Sequence, residues 1–372
     1  MQAHLKACPS PTHRALLGLI PVALGREPAP GLWEDLAASD PMQLAAAAQV
    51  EHVQTLLGAA FDTAPDLREA IPSDLLIYFQ EMHAGNAQYN DIARRDLARL
   101  GEILNDAGLR GCILKGGIEL VLPSWTRPSG RFISDLDVLV EGEGEPAFQA
   151  LLAAGAKIVG DDAPLVAELE AKRMHFPALL LEGGQTVIEL HTRVQRDGAD
   201  RLLKPQAIFA DSRDTGLRGI VAPSLRHRMI HHVLHAQAQH LHYERLELKP
   251  RSVADHAMLL RGLAPEEQNE VRRDFASIGR TAEYEALDAL TELVFEGTNE
   301  RAAGNRWIQK CLQLYGQPNR RKLILVGESF SVVIRRALSN KEYRQRYFRK
   351  LLSPRLLFQS LRNRLDKILR SR

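Results

Sequence analysis

The chain has 372 residues, of which 45% are hydrophobic and 25% are charged. These values are ordinary for globular proteins and exclude an intrinsically disordered chain, while the length suits roughly two or three domains. The three cysteines, Cys8, Cys112 and Cys311, are too few and too widely spaced for a disulfide framework or a thiolate zinc site.

The N-terminal part of the chain is expected to be helical. Its first apolar run, Ala15 to Leu24, contains Pro21 and lacks the compact basic flank and cleavage site of a signal peptide, so we interpret it as the first helix of a domain. No run approaches the roughly 20 apolar residues that a membrane span requires. We therefore expect a cytoplasmic protein with a helical region over residues 1–90, and leave open a peripheral position at the inner face of the membrane.

The centre of the chain combines helices and strands. One long helix is predicted from Asp74 to Gly108, and strands are predicted in "RGCILKG" and "LDVLV". A helix over 147–154, a strand in "AKIVG" and a hairpin follow; the hairpin strands lie in "HFPALLLEGG" and "QTVIELHTRV". The pattern predicts an α/β (α+β) core with a small mixed sheet over residues 91–215, with helical regions on both sides.

Three carboxylates interrupt the predicted strands. Asp135 and Asp137 are two residues apart in "SDLDVLV" and therefore point to the same sheet face, and Glu189 lies between apolar residues in "VIELH". Like charges that are close together and shielded from water repel each other, so a cation is expected between them. If the strand of Glu189 is a neighbour, three oxygen ligands converge, a set that suits Mg²⁺ (or Mn²⁺).

A possible phosphate-binding turn precedes the aspartates. In "LKGG" the two glycines, Gly116 and Gly117, let backbone N–H groups approach phosphate oxygens, and Lys115 adds a positive charge beside them.

These motifs resemble those of a known enzyme superfamily. A strand that ends in a Gly-Gly turn, a D-x-D pair in a second strand and a third acid in a later strand resemble the polymerase-β-like nucleotidyltransferases. More narrowly, "ILKGGIEL", "RFISDLDVLV" and "VIELHTRV" resemble the motifs of a bacterial uncharacterised nucleotidyltransferase family. The resemblance implies a nucleotidyltransferase core that moves a nucleotide from an NTP such as ATP to an acceptor hydroxyl.

The resemblance also implies roles for individual residues. Asp135, Asp137 and Glu189 would be both the catalytic residues and the metal ligands, with Glu189 as the base toward the acceptor. The "KGG" residues would contact the nucleotide phosphates. Many members have Ser where this chain has Gly117, so the hydroxyl contact of that Ser is missing here.

Other side chains near the motifs have two open interpretations. Arg131, four residues before Asp135, could contact the triphosphate or pair with a carboxylate. His191 shares a strand face with Glu189 and could orient a ligand or a substrate hydroxyl, or be structural. His175, at the start of the hairpin, is expected to be structural.

The region 216–336 is predicted to be a helical domain beside the sheet. His227, His231 and His235 recur at i, i+4 and i+8 on one helix, which favours a row of imidazoles along the cleft over a zinc site. Asp255 follows Arg251 by four residues, a spacing that favours an ion pair between the two, although a cleft role for Asp255 stays open.

A basic segment forms the C-terminal end of the sequence. Residues 320–372 contain 16 lysines or arginines and three acids, so the preceding residues carry 32 basic and 43 acidic side chains. The amphipathic tail over 337–372 could bind RNA phosphates, lie on an anionic membrane surface, or pack its apolar face on the protein.

Two other functions remain open at the level of sequence. One is a toxin-like transferase that acts on tRNA or on a protein. The other is a non-catalytic nucleotide-binding scaffold in a membrane-associated biosynthetic system. The acceptor and the preferred NTP are not encoded in any motif that we recognise.

Overall fold

The computed structural model of the chain describes residues 5–159, 175–195, 199–297, 300–317, 319–320 and 324. The predicted basic tail over 337–372 lies outside the described residues. Within them, no helix is both long enough and apolar enough to cross a membrane.

The first helices begin with clear capping signals. In α1 and α3 a side chain of the preceding residue, Ser10 or Asp40, accepts a backbone N–H of the first turn, and proline starts the helix. Almost every residue of α1 is buried, and this helix packs against α2 and α4. The bounds of these helices are α1 Pro11–Ala23, α2 Leu32–Ala37, α3 Pro41–Val50 and α4 Gln54–Thr63.

A single long helix, α5 (Ser73–Asp106), follows a short 3₁₀ turn at Pro65–Ala70. It confirms the prediction of one helix between Asp74 and Gly108. The helix ends where expected, because Gly108 adopts a left-handed conformation with φ +71° that disfavours other residues. Its buried residues include Leu97, Leu100 and Leu104, which pack on the sheet.

A mixed sheet of seven short strands packs against α5, in the order β3-β4-β5-β2-β1-β7-β6. Strands β2 and β5 are parallel, as are β1 and β7, whereas β1 runs antiparallel to β2. Helix α6 (Gly144–Ala153) lies between β2 and β3 in the chain. The strand bounds are β1 Gly111–Ile113, β2 Asp135–Val140, β3 Lys157–Ile158, β4 Leu179–Leu180, β5 Val187–His191, β6 Arg213–Asp214 and β7 Ile220–Ala222.

The mixed α/β fold class and five of these strands confirm the sequence predictions. The predicted hairpin corresponds to the antiparallel pair β4 and β5, with Gly183 at φ +67° in its turn. Strands β6 and β7 were not predicted. They contain two and three residues, too few for an alternation of apolar and polar side chains to be visible.

After Ala222 the described chain contains helices and no further strand. Residues of these helices, among them Phe275 and Tyr284, share one hydrophobic cluster with residues of α1 and α4, so the two ends of the described chain pack together. Helix α7, Pro205–Ala210, lies earlier, between β5 and β6 in the chain. The helices after Ala222 are α8 Leu225–Val233, which continues into a π-helix at Leu234–Gln239, α9 Pro250–Gly262, α10 Pro265–Ser277, α11 Thr281–Glu296, α12 Glu300–Gly304 and α13 Arg306–Leu314.

Candidate active site

Two neighbouring strands bring two of the three predicted carboxylates together. In the parallel pair β2 and β5, Asp137 is the register partner of Glu189, and Asp135 is the partner of Val187. Residues two apart on a strand point to the same face, so both aspartates share the face of Glu189. Asp137 is 2% exposed, whereas Asp135 is half-buried at the start of β2.

Asp137 is held by two donors. His191 Nε2 lies 2.8 Å and Lys115 Nζ 2.6 Å from the same oxygen, Asp137 Oδ1. Burial alone would raise the pKa of Asp137, but the hydrogen bond from His191 and the charge of Lys115 outweigh it and lower this pKa to about 2. The carboxylate is therefore ionised at neutral pH, and His191 Nε2 must carry the proton that it donates.

Asp137, Glu189 and His191 form a group that could hold a metal ion. Each offers one ligand atom, and these atoms lie within 4.8 Å of one another. Carboxylate oxygens are the ligands that Mg²⁺ and Mn²⁺ take in proteins, so the donors present fit a divalent cation. The Glu189 side chain is 27% exposed and lies 3.7 Å from His191 Nε2 and 4.0 Å from His175 Nδ1.

Asp135 lies beside this group and not in it. Its Oδ1 accepts a hydrogen bond of 3.0 Å from Ser134 Oγ. The structure thus brings two of the three predicted carboxylates together with His191. From the sequence, a place beside the ligands was only one of two interpretations of His191, the other being a structural role. His175, expected to be structural, lies 2.9 Å through Nδ1 from the carbonyl oxygen of Phe176.

The glycine turn is a 3₁₀ helix, Lys115–Leu120, directly after β1. Lys115 adopts a left-handed conformation with φ +51°. A Cβ at Gly116 would lie 3.3 Å from the guanidinium of Arg131, and one at Gly117 would lie 2.6 Å from Ile113 Cδ1. A side chain at Gly117 would therefore press on Ile113, and glycine avoids this contact at the position where many members have serine.

Arg131 forms a bidentate ion pair with Asp255 of α9, with distances of 2.8 Å from Nε and 2.9 Å from Nη2. The prediction that Asp255 pairs with Arg251 is therefore wrong. Arg131 meets both carboxylate oxygens of Asp255 at once, a bidentate geometry that strengthens a charge-assisted pair. Of the two alternatives for Arg131, the structure shows the carboxylate pair.

A cavity of about 300 Å³ adjoins the carboxylates across Lys115. Its walls are the Lys115–Gly116 turn, the end of α3, the start of α9, and α8 with the π-helix that follows it. Arg131 and Asp255 also line this cavity. Asp255 therefore lies in the cleft, although its ion-pair partner is Arg131 and not Arg251.

Only part of the predicted row of histidines, which comprises His227, His231 and His235, lines this cavity. His231 and His235 reach it, but His227 lies one turn away, with Nδ1 3.0 Å from Ser224 Oγ and 3.4 Å from Asp211 Oδ2. Burial lowers the pKa of His231 to about 3 and that of His235 well below its usual value. His231 and His235 are therefore neutral at physiological pH.

Several cavity residues were not found by sequence reasoning. His52, just after α3, stacks on Phe132 with ring centroids 5.7 Å apart and lines the cavity with Glu51. Arg228 lines it from α8 and pairs with Glu119 at 2.7 Å. These residues come from distant parts of the chain and lack a shared motif, so no sequence signal could have grouped them.

The comparisons with known proteins agree with this geometry at the level of the family. A family described as "Uncharacterised nucleotidyltransferase" matches residues 37–296, which include both strands with the carboxylates, the glycine turn and the cavity walls. No curated protein and no solved structure matches the chain. The chain is a member of this nucleotidyltransferase family.

Proposed function

We propose that this enzyme transfers a nucleotide from an NTP to the hydroxyl of an acceptor and releases pyrophosphate, with a divalent cation, Mg²⁺ or Mn²⁺, held by Asp135, Asp137 and Glu189. The observation that carries the proposal is the register of β2 and β5, which sets Asp137 beside Glu189 at the edge of a cationic cavity. Asp135 would join them from the start of β2, on the same face.

The cation, when bound, would neutralise the carboxylates and polarise the phosphate that is attacked. His191 would keep the Asp137 carboxylate in one orientation through its hydrogen bond of 2.8 Å. Glu189 makes no hydrogen bond to another described residue and is partly exposed. It is thus free to accept the proton of an acceptor hydroxyl as a general base.

The nucleotide would lie in the cavity. Lys115 borders both the cavity and Asp137, so its ammonium can reach a phosphate beside the carboxylates. Gly116 leaves room for the turn to approach the ligand, while Gly117 keeps the turn packed on Ile113. Arg131 would contribute its charge to the phosphates while Asp255 fixes its position.

The experiment that tests this proposal is a labelling assay. The protein is incubated with each of the four α-³²P-labelled NTPs, Mg²⁺ or Mn²⁺, and a total cell extract. We expect label in one class of acceptor, with one preferred NTP, and no label when EDTA is added. Absence of label with every NTP and either cation would contradict the proposal.

A further inference from the structure

One cation in the cavity has no ionic partner among the described residues. Five basic side chains line the cavity, and four of them have a carboxylate within 4.0 Å. The fifth, Arg251 at the start of α9, forms no ion pair or side-chain hydrogen bond with any residue in the described part of the chain. The four pairs are Lys115 with Asp137, Arg131 with Asp255, Arg228 with Glu119, and Lys249 with Glu51 and Glu247.

The surroundings of Arg251 disfavour a lone positive charge. Burial, and next the neighbouring charge of Arg131, lower its pKa to about 10 despite weaker attraction from Asp255, Asp135 and Glu51. A guanidinium that is shielded from water without a hydrogen-bonded anion destabilises the fold. An anion that enters the cavity would remove this cost.

The backbone around Arg251 also favours an anion. Arg251 is the second residue of the 13-residue helix α9, and no side chain caps the start of that helix. Ser252, the next residue, lines the same cavity. The N–H groups of a first helical turn and the helix dipole attract negative charge, so the helix start adds to the guanidinium.

The Lys115–Gly116 turn lines the same cavity as Arg251, so an extended anion in the cavity could touch both. The volume of about 300 Å³ is at the lower limit for a ligand pocket and holds more than a single phosphate. Lysine and arginine side chains supply positive charge along the cavity lining.

We propose that Arg251 anchors the polyphosphate chain of the donor nucleotide from the first turn of α9, in the cavity that Lys115 also lines. This assignment rests on the proposed function for the identity of the ligand. Arg251 contacts the substrate in this arrangement and would determine affinity for the polyphosphate, independently of the metal and of the acceptor.

The test is calorimetric binding of inorganic tripolyphosphate in EDTA at low salt, because this probe needs neither metal nor transfer. We expect binding to the wild type, and at least about tenfold weaker binding to Arg251→Gln, since a charge-assisted contact is lost. Arg251→Lys should retain part of the affinity. Arg261→Gln is the matched control, because Arg261 is exposed at the other end of the same helix and should bind as the wild type does.

Thermal unfolding separates binding from folding. Removal of an unpaired, shielded charge should leave the melting temperature of Arg251→Gln unchanged or raise it. Lower melting temperatures for both Arg251→Gln and Arg251→Lys would assign Arg251 a structural role and overturn the proposal. So would the absence of tripolyphosphate binding in the wild type, or equal affinity in Arg251→Gln.

The outcome is independent of the proposed transfer reaction. Tripolyphosphate binding that depends on Arg251, without any NTP-dependent labelling, would support the anion site and contradict the proposed function. Labelling activity with equal tripolyphosphate affinity in the wild type and Arg251→Gln would support the function and overturn the role of Arg251.

Discussion

Asp137 and Glu189 are register partners on two parallel strands, and of the two only Asp137 accepts hydrogen bonds from side chains in the described part of the chain. Asp137 is 2% exposed and bound by Lys115 and His191, whereas the Glu189 side chain is 27% exposed. This difference separates their proposed roles. A fixed, ionised carboxylate suits a metal ligand, and a freer one suits a group that also takes a proton from a substrate.

Glu189→Gln is expected to retain NTP binding and lose transfer. The amide keeps the size of the side chain but cannot accept the proton, and loss of a general base lowers rates by about 10²- to 10⁴-fold. NTP binding by calorimetry and transfer by the labelling assay would be compared with Glu182→Gln, an exposed control in the β4–β5 turn. Equal losses of binding and transfer would instead indicate that Glu189 acts only as a metal ligand.

The ion pair between Arg131 and Asp255 should be measurable in a double-mutant cycle. The two side chains are only 9% and 18% exposed, so Asp255→Asn should lower the free energy of unfolding by about 3 kcal/mol, because it leaves Arg131 without its anion. Urea unfolding of Arg131→Gln, Asp255→Asn and the double variant gives the coupling energy. A parallel cycle with Arg251→Gln should show a much smaller coupling energy to Asp255. A larger coupling energy for Arg251 than for Arg131 would support the ion pair that the sequence predicted.

Gly117→Ala should destabilise the protein, because the added Cβ would lie 2.6 Å from Ile113 Cδ1 and 2.9 Å from Ile113 Cγ1. Overpacking of a buried site typically costs about 1–3 kcal/mol. Adding Ile113→Val removes the nearer methyl group and should restore part of the loss. Chemical denaturation of the single and double variants measures both effects. If Gly117→Ala is as stable as the wild type, packing on Ile113 does not require glycine here.

His231 should contribute to a fall in stability at acidic pH. Burial, followed by the charge of Lys115, lowers its pKa from 6.5 to about 3, so the folded protein excludes a proton that the unfolded chain binds. The free energy of unfolding therefore decreases as the pH falls from 6.5 toward 3, by up to about 1.4 kcal/mol per pH unit for one group. Above pH 6.5, the pKa in the unfolded chain, His231 is neutral in both states and no longer makes the free energy of unfolding depend on pH.

His231→Gln tests this pH dependence, because glutamine does not titrate. Between about pH 6 and about pH 4 the stability of the variant should fall less steeply than that of the wild type, by the equivalent of up to one proton. His232, whose pKa burial lowers to about 4, continues to titrate in both proteins. Identical slopes in urea unfolding would show that His231 is not held neutral in the fold.

The sequence predicted the parts of the site that lie on strands. Alternation along "SDLDVLV" places Asp135 and Asp137 on one face of their strand, and Glu189 was expected to join them only if its strand was a neighbour. The register of β2 and β5 meets that condition and sets Asp137 beside Glu189. The partner of Asp255 could not be predicted in this way. A spacing of four residues indicates which side chains could meet on a helix, but Arg131 approaches from a distant loop.

The cavity also could not be predicted from the sequence. Its walls combine residues just after α3, a turn after β1 and the first turn of α9, and only tertiary packing brings these together. Strands β6 and β7 are too short for a periodic signal. The division into regions 1–90, 91–215 and 216–336 stays a prediction, as do the three interpretations of the tail, which lies outside the described residues.

The most direct test of the account is transfer by Asp137→Asn, with Asp135→Asn beside it. Each variant removes one negative charge from the proposed metal site while keeping the size of the side chain. Asp91→Asn on the exposed face of α5 is the matched control. In the labelling assay with Mg²⁺ or Mn²⁺, we predict at least about a 100-fold loss for each of the two site variants, about 2.7 kcal/mol, and wild-type transfer for the control. Wild-type transfer by folded Asp137→Asn or Asp135→Asn would contradict the proposed catalytic centre.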